Sequence, residues 1–185
     1  HVRMREVVAR ELTPVDGIVA LLDALDAAHL PYAVASNGEH AKMESTLGVT
    51  GLRARTEGRR FSATDVAHPK PAPDLFLHAA ATMGVPPSRC VVVEDSPFGV
   101  AGAAAAGMTV IGYADLMPGS RLSAAGATHV VTSLADVPAL LALSASADRA
   151  PIVFLGDDVT DEEAFAMFGP DDVSIRVGPG PSCAR

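Results

Sequence analysis

Residues 90–113 read CVVVEDSPFGVAGAAAAGMTVIGY, and this stretch decides the fold. Four apolar residues, Cys90 to Val93, run into the paired acids Glu94 and Asp95. An alanine-rich segment over 98–106 then has helical composition, and Thr109 to Tyr113 is β-branched and apolar again. A strand, a helix and a strand in that order pair the two strands in parallel, with the helix crossing one face. Working outward, the same alternation continues in both directions. Ile18, Leu21, Leu22 and Leu25 recur at helical spacing in GIVALLDALDAAH (17–29), and YAVAS (32–36) is a short apolar strand. A helix near 39–47, a strand at RFSAT (60–64) and a helix at PDLFLHAAATMG (73–84) follow. Beyond residue 113 come a strand at THVVT (128–132) and a helix at LADVPALLAL (134–143). The expected fold is therefore α/β, a three-layer doubly wound parallel sheet, in which chemistry gathers at the carboxyl ends of the strands.

Composition bounds the function. With 185 residues, 49% of them hydrophobic, the chain can bury one substantial core but not two complete domains. A net charge of -8 leaves no basic stripe to displace counterions, which excludes non-specific nucleic-acid binding and favours a small-molecule partner. The two cysteines make no disulfide framework, and Cys90 reads as an inert core thiol; a reducing, cytoplasmic compartment is expected. The longest low-polarity run, AGAAAAGMTVIGYA (101–114), is too short and too alanine-rich to span a bilayer, so no membrane partner is expected. The chain starts at His1 rather than at a methionine, which suggests a fragment or processed product.

Three places carry chemistry. Ser36-Asn37-Gly38 follows a strand directly, where a hydroxyl and turn N–H groups can hold a phosphate oxygen, although taken alone an ordinary turn and N-cap is the favoured reading. Lys70 is held between Pro69 and Pro71, a rigidity that surface lysines seldom need and that favours anion binding. Glu94 and Asp95 close the most apolar strand, where two carboxylates repel unless a cation lies between them; all-oxygen ligands favour Mg²⁺. His40, His68 and His78 lack ligand spacing and read as surface residues.

Serine at a strand end, then lysine, then an acidic pair at another strand end, carried by VASNG, HPKPAPDLFLHAA and CVVVEDSPFGVAGAAAAGMTVIGY, resembles the haloacid dehalogenase superfamily of phosphohydrolases. The likeness is to the branch containing β-phosphoglucomutase and small sugar-phosphate phosphatases, and it covers residues 1–143. It implies a haloacid dehalogenase-like core and a Mg²⁺-dependent phosphohydrolase or phosphomutase acting on a sugar phosphate. By the same resemblance Ser36 and Asn37 bind the transferring phosphoryl group, Lys70 neutralises it, and Asp95, assisted by Glu94, holds Mg²⁺; Lys70 and Ser36 are the catalytic candidates. The opening helix matches the last helix of the cap that such enzymes insert after their first strand. The family's first motif, a strand ending D-x-D-G-T that supplies the nucleophilic aspartate, has no counterpart, since no D-x-D occurs anywhere. The expected core is thus incomplete, lacking its first strand and most of its cap.

Residues 144–150 are small and polar enough for a linker. Beyond them, PIVFLGDDVTDEEAFAMFG followed by VSIRVG resembles the fourth motif of the trehalose-phosphate phosphatases, with Asp157, Asp158 and Asp161 on the acidic positions. Residues 151–185 then form a strand, helix and strand piece. Alternatives to the phosphohydrolase reading are a trehalose-6-phosphate phosphatase fusion and a non-catalytic phosphate- or metal-binding module. A receiver domain also combines acids, a hydroxyl and a lysine, but in the opposite order. The missing first strand would lie between the strands ending at Ser36 and Glu94. Residues 152–156, apolar and unassigned, are expected to fill that gap, because a linker spanning roughly 25 Å at about 3.3 Å per residue can reach it.

Overall fold

The computed structural model describes residues 12–144 and 152–157. The elements are α1 (Ile18–Ala27), β1 (Tyr32–Ser36), α2 (His40–Val49), β2 (Arg60–Ser62), α3 (Asp74–Thr82), β3 (Cys90–Glu94), α4 (Pro97–Ala105), β4 (Thr109–Tyr113), α5 (Gly119–Ala125), β5 (His129–Val131), α6 (Val137–Ser144) and β6 (Ile152–Asp157). The six described strands form one sheet in the order β2-β1-β6-β3-β4-β5. Every pairing is parallel.

The last strand among the described residues, β6, is central in the sheet. On one side of β6, Tyr32 pairs with Val153 and Ser36 with Asp157; on the other, Cys90 pairs with Ile152 and Val93 with Leu155. The gap expected between β1 and β3 is closed by residues 152–157. Without them two apolar strands would each present a row of unpaired backbone groups inside the protein, which is costly.

Strand alternation sorts the core into two layers. Ala33, Ala35, Cys90, Val92, Val110 and Phe154 face Leu75, Phe76, Val100, Ala103 and Leu122, carried by α3, α4 and α5. Tyr32, Val91, Val93, Ile111 and Val153 face Leu21, Leu22, Leu25, Val137 and Leu141, carried by α1 and α6. Helices on both faces of a parallel sheet make the three-layer doubly wound α/β architecture that the sequence pattern predicts.

Two elements depart from the expectation. RFSAT does not stay extended beyond Ser62: the Asp65 carboxylate accepts the Ser62 N–H at 2.8 Å and the Ser62 hydroxyl accepts the Thr64 N–H at 3.1 Å, so residues Ala63–Asp65 turn into a 3-10 helix. Helix α5 has no signal in the sequence, because Pro118, Gly119 and Gly126 bracket a single strong apolar anchor, Leu122, which is fully buried. Residues 1–11, the linker 145–151, and the helix and strand expected over 158–185 lie outside the described residues. Among the described residues, no helix is long and apolar enough to cross a membrane.

Candidate active site

Three neighbouring strands, β1, β6 and β3, end at the same level of the sheet, and their carboxyl ends define the site. Lys70 enters it from the loop before α3. Its side chain is fully buried, and its ammonium donates to Glu94 Oε1 at 2.5 Å and to the Ala35 carbonyl, at the end of β1, at 3.0 Å. The Phe76 ring lies 5.0 Å from Nζ, so the cation also rests on an aromatic face. Burying a lysine among apolar residues is unfavourable unless a counter-charge accompanies it, and Glu94, 1% exposed, supplies that charge.

The backbone of Lys70 is held as firmly as its head. The Asn37 side-chain oxygen accepts the Lys70 N–H at 3.0 Å, and the Asn37 amide nitrogen donates to the Lys70 carbonyl at 3.3 Å. Asn37, expected to bind phosphate, therefore clamps the loop that presents the lysine. Ser36 is 2% exposed and its hydroxyl accepts the Gly38 N–H at 2.9 Å, which shapes the turn after β1. The serine, the asparagine, the lysine and the acidic pair, separated by up to 59 positions from Ser36 to Asp95, meet at one end of the sheet.

Beyond Lys70, Glu94 is seated by groups that carry no charge. The Ser96 hydroxyl donates to its Oε2 at 3.2 Å and the Ser96 N–H at 3.4 Å, while the same hydroxyl accepts the Gly99 N–H at 3.0 Å as N-cap of α4. Two glycines make room for the carboxylate. A Cβ at Gly99 would come within 2.1 Å of it, and a Cβ at Gly156 within 2.0 Å of Oε1. Real Cβ contacts are never that short, so glycine at both positions is what lets Glu94 lie there. Ser96, Gly99 and Gly156 were not singled out in the sequence; the only hint was the glycine preceding the second acidic run.

Asp95, half-buried, follows Glu94 directly at the carboxyl end of β3. Burial pushes the nearby Tyr113 hydroxyl above its ordinary range, and Asp115, Asp16 and Asp95 add to the shift, which marks a negative potential around this rim. Among the described residues no three His, Cys, Asp or Glu side chains form a metal cage. Mg²⁺ does not need one, since one or two carboxylates plus water suffice; half-buried Asp95 is a donor of that type, while the Glu94 oxygens are engaged by Lys70 and Ser96 in this structure. The backbone of Asp157 lies beside Ser36; Asp158 and Asp161 lie outside the described residues. The histidines expected at the surface are there: His40 contacts Asp65 at 2.8 Å, His68 contacts Asp74 at 2.9 Å, and exposed His78 meets the Phe61 ring edge-on. Buried Cys90 has its thiol pushed up to about 11 by burial, in keeping with an inert core residue.

A model of the haloacid dehalogenase-like hydrolases matches residues 1–107, more than half of the chain. The chain belongs to this family. Within the haloacid dehalogenase-like hydrolases it is similar to the fructose-1-phosphate phosphatase of Escherichia coli, 46% identical over 81 residues that make up 44% of this chain and 43% of that protein. It is also 37% identical over 139 residues to a probable pseudouridine-5'-phosphatase of Drosophila melanogaster, covering 71% of this chain and 58% of the relative. A haloacid dehalogenase family hydrolase of Deinococcus radiodurans, solved with bound phosphate and sodium, superposes with a TM-score of 0.67 at 38% identity, over 71% of this chain and 60% of that one. The chain thus spans about half the length of the two phosphatases it matches. The likeness of residues 151–185 to trehalose-phosphate phosphatases finds no support in these comparisons, and the first of those residues, as β6, complete the sheet of the domain before them.

Proposed function

We propose that this chain forms the phosphate- and Mg²⁺-binding side of a phosphohydrolase or phosphomutase site of the haloacid dehalogenase type, with a sugar phosphate as the ligand. One observation carries the reading: a fully buried lysine ammonium stands at the carboxyl ends of three parallel strands, beside a serine and an acidic pair. The kinship with a fructose-1-phosphate phosphatase supports the sugar-phosphate class. Lys70 would meet the negative charge of the phosphoryl oxygens, Ser36 would hydrogen-bond one of them, and Asn37 would keep Lys70 in place. Asp95, with Glu94, would hold Mg²⁺, which supplies Lewis-acid neutralisation of phosphoryl charge when bound.

Phosphoryl transfer by the family route also needs a nucleophilic carboxylate facing that pocket. The position of β6 whose side chain would face Glu94 is Gly156. Binding without transfer is therefore the expected behaviour of this chain. Calorimetric titration with inorganic phosphate in the presence of Mg²⁺ tests it. Saturable binding that Lys70→Ala abolishes, with no release of phosphate from an aryl phosphate or fructose-1-phosphate, is expected. Affinity unchanged by Lys70→Ala would reduce the lysine to a structural ion pair, and Mg²⁺-dependent turnover would show that a nucleophile is present after all.

A further inference from the structure

We propose that Glu94 is a displaceable internal counter-anion. Its carboxylate occupies, against Lys70 and Ser96, the seat in which a phosphate-class oxyanion is bound, and a ligand enters only when Glu94 swings out. The inference rests on the anion-binding reading above and concerns how that site is regulated.

The contacts of Glu94 are those an oxyanion would use. One oxygen takes the Lys70 ammonium at 2.5 Å, and the other takes the hydroxyl and N–H of Ser96. Both glycines flank it so closely that no other side chain could share the space. Lys70 has its side chain wholly out of solvent in this arrangement, so its charge is satisfied from within the chain. An entering phosphate must take over Lys70 and leave Glu94 with another partner, because a buried unpaired carboxylate is strongly disfavoured. The adjacent Asp95 shows what that partner can be. A divalent cation held by Asp95 attracts the displaced carboxylate, so cation and oxyanion each favour the same rearranged state. Two ligands that favour one state must strengthen each other's binding by the same factor. Where the competent state is a minority, the apparent affinity for phosphate falls in proportion to its population.

Glycine at 156 is what permits the collapsed state. A methyl group there would meet Oε1 at 2.0 Å and Cδ at 2.2 Å and would hold the carboxylate off the lysine. Gly156→Ala and Glu94→Gln should therefore both release Lys70, the first by bulk and the second by removing the competing charge.

The experiment is calorimetric titration of the full chain and these two variants with inorganic phosphate, with and without Mg²⁺, after circular dichroism has shown each variant folded. In wild type, saturating Mg²⁺ should tighten phosphate binding at least about tenfold. Glu94→Gln should bind phosphate at least about tenfold more tightly than wild type without Mg²⁺, Gly156→Ala should shift the same way, and Lys70→Ala added to Glu94→Gln should remove the gain. Folded variants that bind no tighter than wild type overturn the proposal while leaving a Lys70-dependent anion site intact. If both variants unfold, wild-type phosphate affinity that ignores Mg²⁺ overturns it, and reciprocal tightening of the two ligands supports it. Absence of phosphate binding in every protein, with or without Mg²⁺, overturns both this proposal and the anion-site reading.

Discussion

Replacing Phe154 by alanine tests whether the sheet is built around β6. Phe154 is fully buried in β6, between Ala33 and Ala35 of β1 on one side and Cys90 and Val92 of β3 on the other, all on the face covered by α3, α4 and α5. Removing the ring forfeits its transfer free energy and leaves a cavity walled on two sides by paired strands, which cannot close up. A loss of about 3–5 kcal/mol is expected. That is a large part of the roughly 5–15 kcal/mol by which a domain of this kind is stable. Val130 on the edge strand β5, 37% exposed, is the control, and its alanine variant should lose less than about 1 kcal/mol. Urea unfolding followed by circular dichroism gives both values, and equal slopes against denaturant would show that the two variants share one unfolding transition. A Phe154→Ala loss below about 1 kcal/mol, or one matching Val130→Ala, would refute the central placement of β6.

Asn37→Ala removes two hydrogen bonds to the Lys70 backbone, so stability should fall by about 1–2 kcal/mol and Lys70-dependent phosphate affinity should fall with it. An affinity that stays at the wild-type value in a destabilised Asn37→Ala protein would confine Asn37 to a structural role. Burial opposes ionisation of Asp65, yet the Ser62 N–H and then His40 hold its carboxyl below the usual range. Its folded pKa is depressed, so its contribution is present above the ordinary aspartate value near 3.9 and is lost as pH falls through the folded value. Asp65→Asn should therefore cost about 1 kcal/mol at pH 7, a cost that shrinks as pH falls below the ordinary aspartate range; a pH-independent difference in urea midpoint would contradict this.

Much of the site was written in local signals. A lysine between two prolines, a serine and asparagine at a strand end, and two acids after four apolar residues each announce a constraint within a few positions, and the sheet brings them together. The slot filled by residues 152–156 was legible for a different reason: an apolar parallel-type strand was left over, and the topology left one place for it. What escaped was set by partners distant in sequence. The clamp that Asn37 places on Lys70 depends on a loop 33 residues away. The importance of Gly99 and Gly156 appears only when Glu94 lies against them, because a glycine in sequence does not say what approaches it. Helix α5 has one buried anchor, too little for a period, and is held by tertiary packing of Leu122.

The position of β6 also orders events in time. A ribosome delivers β1 and β3 well before residues 152–157, so the two strands that flank the centre of the finished sheet wait in the nascent chain without the strand that joins them. Neither can pair across the vacancy, and each holds an apolar edge suited to recruiting a strand from another chain. Closure is a late, long-range step that waits on β6, which makes folding slow relative to a fold whose neighbours in space are neighbours in sequence. A chaperone that shields bare strand edges would act on this protein during that interval, before β6 leaves the exit tunnel.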